Sequence, residues 1–540
     1  MSKAAPGHLT EDQSAVLGFL ASPAAYGLTD AKIKRIDTHG SIVFLAGERV
    51  YKVKRAVRFP YMDYGTLERR RWACEREVAI NRRTAPEIYL DVVPVTRAAS
   101  GALSLGGTGE PVEWTVQMRR MPREHLLDQL AAGAGLDDRL IEQVADAVAA
   151  MHHAAQPVGT DEAHGGGADG MRWIVGDNTS GLREHASLLD GDAVVRLDAK
   201  SRAALDGCAW LLDRRLGQGF VRHCHGDLHL GNLCLWDGRA TVFDAIEFND
   251  RFANIDVFYD LAFLVMELDR RVGRRAANLL INRYLRRTED FEGLAVLPLY
   301  LSARAAIRAK VSAAGALAQE DEAQAHRLRR AAAANFNAAL GYLAPPPARL
   351  IAVGGRSGSG KSTLARALAP MTGAAPGALH LRSDVIRKAM FGVEDEVKLP
   401  EAGYAPEASA EVYRRIRERA GIALRAGHSV VADAVYDRAE DRRAIAAVAA
   451  DAGVRFDGVW LDVPPEVMRE RLTARVRDAS DATPAVLDLQ LRHEVGALDW
   501  LRLSAAGPPD EVAARAEAAL GLDAAGLAPD PDLRLQRGGA

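Results

Sequence analysis

The order of apolar and polar positions divides this chain into short strands and longer helical stretches. Ile42-Val43-Phe44-Leu45 and Val50-Tyr51-Lys52-Val53-Lys54, separated by Ala46-Gly47-Glu48-Arg49, read as strand, turn and strand. Period-two alternation puts Val50, Lys52 and Lys54 on one face. A helical stretch follows from Leu67 to Asn81. Further on, Leu233-Cys234-Leu235-Trp236 and Arg239-Ala240-Thr241-Val242-Phe243 flank Asp237-Gly238, a favoured two-residue hairpin turn. The Ala- and Arg-rich stretch from Leu301 to Leu343 reads as helices, and Gln156 to Gly170 collects Pro, Gly and Asp as an exposed loop would. Arg349 to Val353 is a short apolar strand, and Ser362 to Leu368 a helix. Leu379 to Arg382 is a second strand of this half, Ser429 to Asp433 has a buried-strand pattern, and Pro465 to Val476 is helical.

At 540 residues the chain exceeds one ordinary core. Ala344-Pro345-Pro346-Pro347-Ala348 reads as a short stiff linker, which predicts domains at 1–343 and 349–520 and a frayed tail over 521–540. The basic and acidic counts, 69 and 72, nearly cancel, which argues against recruitment by nucleic acid or an anionic membrane. The first ten residues lack a signal-peptide pattern, and the longest apolar run, near Val257 to Leu268, is broken by Asp260 and Glu267. The four cysteines form no C-x-x-C pair, so the expected setting is the cytoplasm. No pattern fixes an oligomeric state.

Two phosphoryl-transfer signatures then change the picture. His225-Gly226-Asp227-Leu228-His229-Leu230-Gly231-Asn232 fits the frame H-x-D-x-x-x-x-N. If Trp236 pairs with Arg239, the ladder counts back to Asn232 opposite Phe243, with Asp244 next to it. An amide oxygen and a carboxylate converging there suit Mg²⁺ held on ATP phosphates. Asp227 stands where it would accept the proton of an attacking hydroxyl, and His225 orients the loop. Either Lys52 or Lys54 reaches α- and β-phosphates, with Glu75 or Glu77 as ion-pair partner; chain order favours Lys52 with Glu77. A metal reading of His223, Cys224, His225 and His229 lacks a second cluster with zinc spacing.

The second signature is the phosphate-binding loop Gly355-Arg356-Ser357-Gly358-Ser359-Gly360-Lys361-Ser362, followed by Thr363 and placed between strand and helix as the motif requires. Its backbone N–H groups would surround phosphate, Lys361 would meet the β- and γ-phosphates, and Ser362 would offer a hydroxyl to Mg²⁺. Asp384 is placed as base for an acceptor hydroxyl and Arg387 as an anion contact, although Ser383-Asp384 also reads as a plain helix start. Asp433 ends its strand as a Mg²⁺ ligand would. Arg471 and Arg475, four apart on one helix face, would neutralise charge on the transferred phosphoryl group or simply serve as solvated surface residues.

On Val50-Tyr51-Lys52, the HGDLHLGN run and Phe243-Asp244-Ala245-Ile246-Glu247-Phe248, residues 1–340 resemble the aminoglycoside phosphotransferase/choline kinase-like family. That resemblance implies an α+β bilobal protein-kinase-like domain, Asp227 as base, Asn232 and Asp244 as Mg²⁺ ligands, and a structural aspartate region at Asp256 and Tyr259-Asp260-Leu261-Ala262. Where such a scaffold would carry a glycine-rich loop, this chain has Thr38-His39-Gly40-Ser41. Residues 349–520 resemble small-molecule P-loop kinases, a group including gluconate kinase-like, zeta-toxin-like and polynucleotide kinase-like proteins. This implies an α/β P-loop NTPase domain with a parallel sheet. The whole chain is similar to bacterial fusions of an aminoglycoside phosphotransferase-like domain with an ATP-dependent kinase. The expected function is ATP- and Mg²⁺-dependent phosphorylation of small-molecule hydroxyls by two modules. The alternatives are one catalytic module with the other a nucleotide sensor or scaffold, or a P-loop module acting on nucleic-acid ends.

Overall fold

The computed structural model describes residues 8–29, 31–161, 165–474, 479–523, 528–530 and 533. It divides into two compact units. Residues up to 267 with 299–340 make up the first, and 268–298 with 341–530 the second.

A six-stranded antiparallel sheet opens the first unit, in the spatial order Lys34–Asp37, Ser41–Ala46, Arg49–Lys54, Glu110–Arg119, Tyr89–Arg97 and Leu103–Leu105. Strand alternation sorts its central strand: Tyr51 and Val53 join Ile42, Phe44 and Val95 in one core, whereas Val50 joins Cys74, Val78, Tyr89 and Val116 in the other. The second core lies under the helix Leu67–Asn81, whose start is capped by Thr66 accepting the Arg69 N–H. The helical half contains Asp138–Ala154, Gly167–Glu184, Gly191–Gly217, Val257–Arg271, Leu297–Leu317 and Glu322–Tyr342. Between them run the hairpin Leu233–Trp236/Arg239–Val242 and the pair Val221–His223/Asn254–Asp256.

One expectation fails here. Residues 165–168 and Gly170 are buried, and Gly167 already opens a helix. The glycines serve close approach instead of exposure, since a Cβ on Gly165 would stand 2.1 Å from the Arg251 carbonyl oxygen.

The second unit is built on a five-stranded parallel sheet, ordered Leu379–Arg382, Val430–Asp433, Arg349–Gly354, Arg455–Asp462 and Leu501–Ser504. Ile351, Val353, Leu364, Val431, Val459 and Leu503 form its core. Its edge strand is covered by the helix Arg274–Thr288: Asn282 Oδ1 accepts the His380 N–H at 2.7 Å, and Asn278 Nδ2 donates to the Ala378 carbonyl at 3.0 Å. The P-loop unit therefore includes a segment far upstream of the Pro-rich stretch. The helix Pro509–Leu520 ends at Gly521 in the left-handed region, and Asp530 bonds Arg270. Residues 524–527, 531–532 and 534–540 of the expected tail lie outside the described residues.

Candidate active sites

In the first unit, the hairpin pairs Trp236 with Arg239 and Leu233 with Val242. Asp237 and Gly238 both take positive φ, 47° and 75°, as a primed turn demands. The Phe243 N–H donates to the Asn232 carbonyl at 3.0 Å, so Asn232 and Phe243 stand opposite as the count requires. Asp244 follows with φ 61°, and its Oδ1 lies 2.7 Å from Lys52 Nζ. Lys52 also meets Glu77 Oε1 at 2.8 Å. The lysine, the helix glutamate and the acid at the hairpin end thus converge. Glu75 does not join them, because it pairs with Arg71 on the exposed helix face. Lys54, on the same strand face, turns inward to Glu77 and Glu247.

The catalytic loop is suspended from the helix Val257–Arg271. Asp260 accepts the N–H groups of His225 at 3.0 Å and Gly226 at 2.9 Å, and Glu267 accepts that of Leu230 at 2.7 Å. Gly226 has φ 85°, and a Cβ there would stand 2.7 Å from the Phe252 carbonyl oxygen, so the loop requires glycine. His225 is buried and bonds the Phe243 carbonyl oxygen at 2.8 Å, which ties loop to hairpin. Arg215 grips Asp256 with two hydrogen bonds, both groups buried.

Asn232 donates Nδ2 to the Asp227 carbonyl oxygen at 2.9 Å, which leaves its Oδ1 as the ligand atom. Burial pushes the Asp227 carboxyl up, yet the bond and charge of His229, with His225 and Arg304, win and hold it below the ordinary carboxylate range. Burial pushes His229 down, but the bond and charge of Asp227 together with Glu267 outweigh it, so it rises. Its Nδ1 accepts the Gly231 N–H at 3.0 Å, which directs Nε2 to Asp227 Oδ2 at 3.4 Å. Sequence reasoning used His229 only in the metal reading. The four residues of that reading have separate partners: Cys224 bonds Ile255, and His223 Nε2 lies 3.6 Å from Asp250. His152, Cys224 and Asp260 do cluster, but the Asp260 oxygens already serve two backbone N–H groups and His152.

At the glycine-poor turn Thr38–Ser41, the His39 ring stacks on Phe59 at 4.2 Å, and the Tyr61 hydroxyl lies 2.7 Å from His39 Nε2. Phe59 and Tyr61 belong to a short hairpin, Arg58–Phe59/Met62–Asp63, that sits against the turn.

In the second unit the glycine-rich loop joins Arg349–Gly354 to Lys361–Leu368. Gly358 has φ 82°, and a Cβ there would stand 2.6 Å from the Met468 carbonyl oxygen. Lys361 Nζ donates to the Arg356 carbonyl at 3.0 Å, the Ser357 N–H donates to Gln490 Oε1 at 2.8 Å, and Arg356 bonds the His493 carbonyl at 3.0 Å. Ser359, within the loop, is fully buried. A cleft of about 710 Å³ opens from here, lined by Lys361, Ser362, Thr363, Asp384, Arg387 and Tyr404 among others.

Two acids in this region are driven apart. Burial and neighbouring Asp433 push Asp384 up, beyond what Arg382 and Lys361 counter. Burial also pushes Asp433 up, but His380, Lys361 and Arg382 prevail and lower it. Asp433 is 1% exposed, and its Oδ2 stands 3.7 Å from His380 Nε2, beyond hydrogen-bond reach. The helix Ser383–Met390 begins at Ser383 itself with no side-chain cap bond, so a capping role is not what holds this turn.

Arg387 is tied to the Gly403 carbonyl at 2.7 Å and to Ser409 Oγ at 3.3 Å, and lies over the Tyr404 ring. Arg471 bonds the carbonyls of Ala505 at 2.9 Å, Ala506 at 3.2 Å and Ser359 at 3.4 Å, so it braces the back of the loop. Arg475 lies outside the described residues. Sequence reading missed Asp481, which gathers Lys388 Nζ at 2.8 Å, the Leu399 N–H at 2.9 Å and the Tyr404 hydroxyl at 2.6 Å. No spacing signal could have joined those segments.

Uncharacterized proteins of Mycobacterium tuberculosis and Mycobacterium bovis are 29% identical over 481 residues, covering 87% of this chain and 92% of theirs. Among solved structures, a choline/ethanolamine kinase family protein from Mesorhizobium loti is 14% identical, covering 61% of this chain and 98% of its own, with TM-score 0.35. A gluconokinase from Sinorhizobium meliloti is 24% identical, covering 32% and 92%, with TM-score 0.24. Family models match twice: the phosphotransferase enzyme family over residues 65–297 and the AAA domain over 350–494. One chain thus carries a phosphotransferase-family, kinase-like domain followed by a P-loop domain of kinase-like type.

Proposed function

We propose that the chain is an ATP- and Mg²⁺-dependent phosphotransferase that acts on small-molecule hydroxyls at two separate nucleotide sites. The observation that carries this reading is the chain Glu77–Lys52–Asp244, closed at 2.8 and 2.7 Å. It sets a cation beside the oxygen pair Asn232 and Asp244, where nucleotide phosphates need both. In the second unit, Lys361 and Asp384 line one cleft and Asp433 acts on both through its charge, with the two carboxyls pushed in opposite directions, as a base and an anionic ligand require.

The donor sets fit magnesium. Asn232 with Asp244, and Ser362 with Asp433, offer hard oxygen atoms, and the Asp433 Oδ2 is buried without a hydrogen-bond donor. Bound Mg²⁺ would neutralise phosphate charge. The chain's own groups do the rest. Asp227 takes the proton as an acceptor oxygen attacks the γ-phosphorus and ADP departs, while His229 and Asn232 hold that carboxylate in place. Asp384 does the same in the cleft, where Arg387 and Tyr404 form the acceptor wall.

A panel of hydroxyl-bearing metabolites and oligonucleotide ends, offered with γ-labelled ATP to the full chain, tests the reading. Asp227→Asn should remove one set of products and Asp384→Asn another. If either variant leaves every product in place, its unit is a nucleotide sensor or scaffold. Labelled oligonucleotide ends alone would replace the small-molecule reading of the P-loop unit.

A further inference from the structure

Lys54 is 1% exposed, and it shares the strand face of Lys52. Its ammonium lies 2.5 Å from Glu77 Oε2, off the hydrogen-bond direction and so a charge pair. It also bonds Glu247 and lies 5.2 Å from the centre of the Tyr64 ring. The Tyr64 hydroxyl donates to the same Glu247 oxygen at 2.5 Å. Glu77 is fully buried and Glu247 is 5% exposed. Two lysines therefore face three carboxylates: Glu77 shared by both, Asp244 on Lys52, and Glu247 on Lys54.

We propose that Lys54 is a positioning residue that neutralises Glu247 and shares Glu77, and thereby spares Lys52 for the phosphates of a nucleotide. This rests on the nucleotide reading of the first site. Enclosed by Tyr64, Glu77 and Glu247, Lys54 is shut off from any ligand itself. Burial would lower the Lys54 ammonium pKa, but Glu247 and Glu77 prevail and it stays charged. Without Lys54, Lys52 is the one cation left to three acids. Buried carboxylates without partners are costly, so they draw that cation in and hold it. With Glu247 also made neutral, Lys52 keeps the two partners it has now.

An acyl-phosphate derivative of ATP acylates lysines beside bound phosphates, and peptide mass mapping reads Lys52, Lys54 and Lys361 separately in the full chain. Wild-type protein should be modified at Lys52 and Lys361, not at Lys54. Lys54→Met should cut Lys52 acylation by about tenfold or more, since breaking a buried pair strands charge. Lys361 should be unaffected and so report intact probe chemistry and an intact second unit, while a thermal melt reports the fold of the first. Lys54→Met/Glu247→Gln should restore Lys52 acylation to within about threefold of wild type. An equal Lys52 signal in Lys54→Met overturns the proposal, as does modification of Lys54 to the same extent as Lys52. If Lys54→Met does not fold, the double variant carries the test. Loss of its Lys52 signal with Lys361 intact, or its failure to fold, then overturns the idea. Absence of Lys52 acylation in wild type would instead refute the nucleotide reading of the first site.

Discussion

The two units present their phosphate-contact lysines in opposite ways. Lys52 is clamped between carboxylates from a helix and a hairpin end, at 2.8 and 2.7 Å. Lys361 donates to a carbonyl of its own loop, and the neighbouring Ser357 N–H is taken up by Gln490. One site is organised by charge brought from distant parts of the chain. The other is organised by uncharged partners, a carbonyl of the loop itself and the Gln490 amide oxygen from far along the chain. A nucleotide entering the first must compete with Asp244 for a cation, while one entering the second must replace the Arg356 carbonyl on Lys361 and the Gln490 amide on the Ser357 N–H.

The sharpest way to break this comparison is to remove each base. Asp227→Asn should cut transfer by the first unit about 10²–10⁴-fold with nucleotide binding kept, since only proton acceptance is lost. Asp384→Ala should do the same in the second unit. Lys361→Ala should weaken nucleotide binding as well as transfer, because it acts in both ground and transition states. Calorimetric titration beside single-turnover transfer separates the two patterns. An Asp384→Ala variant that transfers normally would return Ser383-Asp384 to a mere helix start.

Acidity sharpens the contrast. Asp227 is lowered, so its base form persists as pH falls through the ordinary carboxylate range, whereas Asp384 is raised and is protonated earlier. The acid limb of the rate profile should lie at higher pH for the P-loop unit. The linkage to stability has the matching sign. The Asp227 contribution is present above the unfolded pKa and lost as pH falls through the folded one. The raised Asp384 favours the fold in acid, and that contribution fades as pH rises through its folded pKa. Coincident limbs would remove the distinction. The smallest effect belongs to Gln490→Ala, which frees the Ser357 N–H and should tighten nucleotide binding by no more than about tenfold, one hydrogen bond's worth.

What could be read from the sequence follows from the range over which each contact is set. The hairpin register was countable because Asp237-Gly238 fixes it locally, and it carries Asn232 and Asp244 with it. The glycine-rich loop is contiguous and so equally plain. Chain order favours Lys52 over Lys54, and the structure separates them by partner as well as burial, with Lys52 on Asp244 and Lys54 enclosed against Glu247. Asp260 and Glu267 looked like interruptions of an apolar run, although their two-turn spacing on one helix face was a signal that both reach the same loop. Gln156–Gly170 misled because glycine marks both turns and close packing. Arg387 and Arg471 were identified by type, but the carbonyls that hold them come from segments whose approach no local pattern encodes.

The claim that two independent nucleotide sites share this chain is tested most directly by calorimetric titration of the full protein with a non-hydrolysable ATP analogue and Mg²⁺. Two sites should appear in wild type, with Lys52→Ala removing one and Lys361→Ala the other. A single site in wild type, or the same site lost in both variants, would contradict the account.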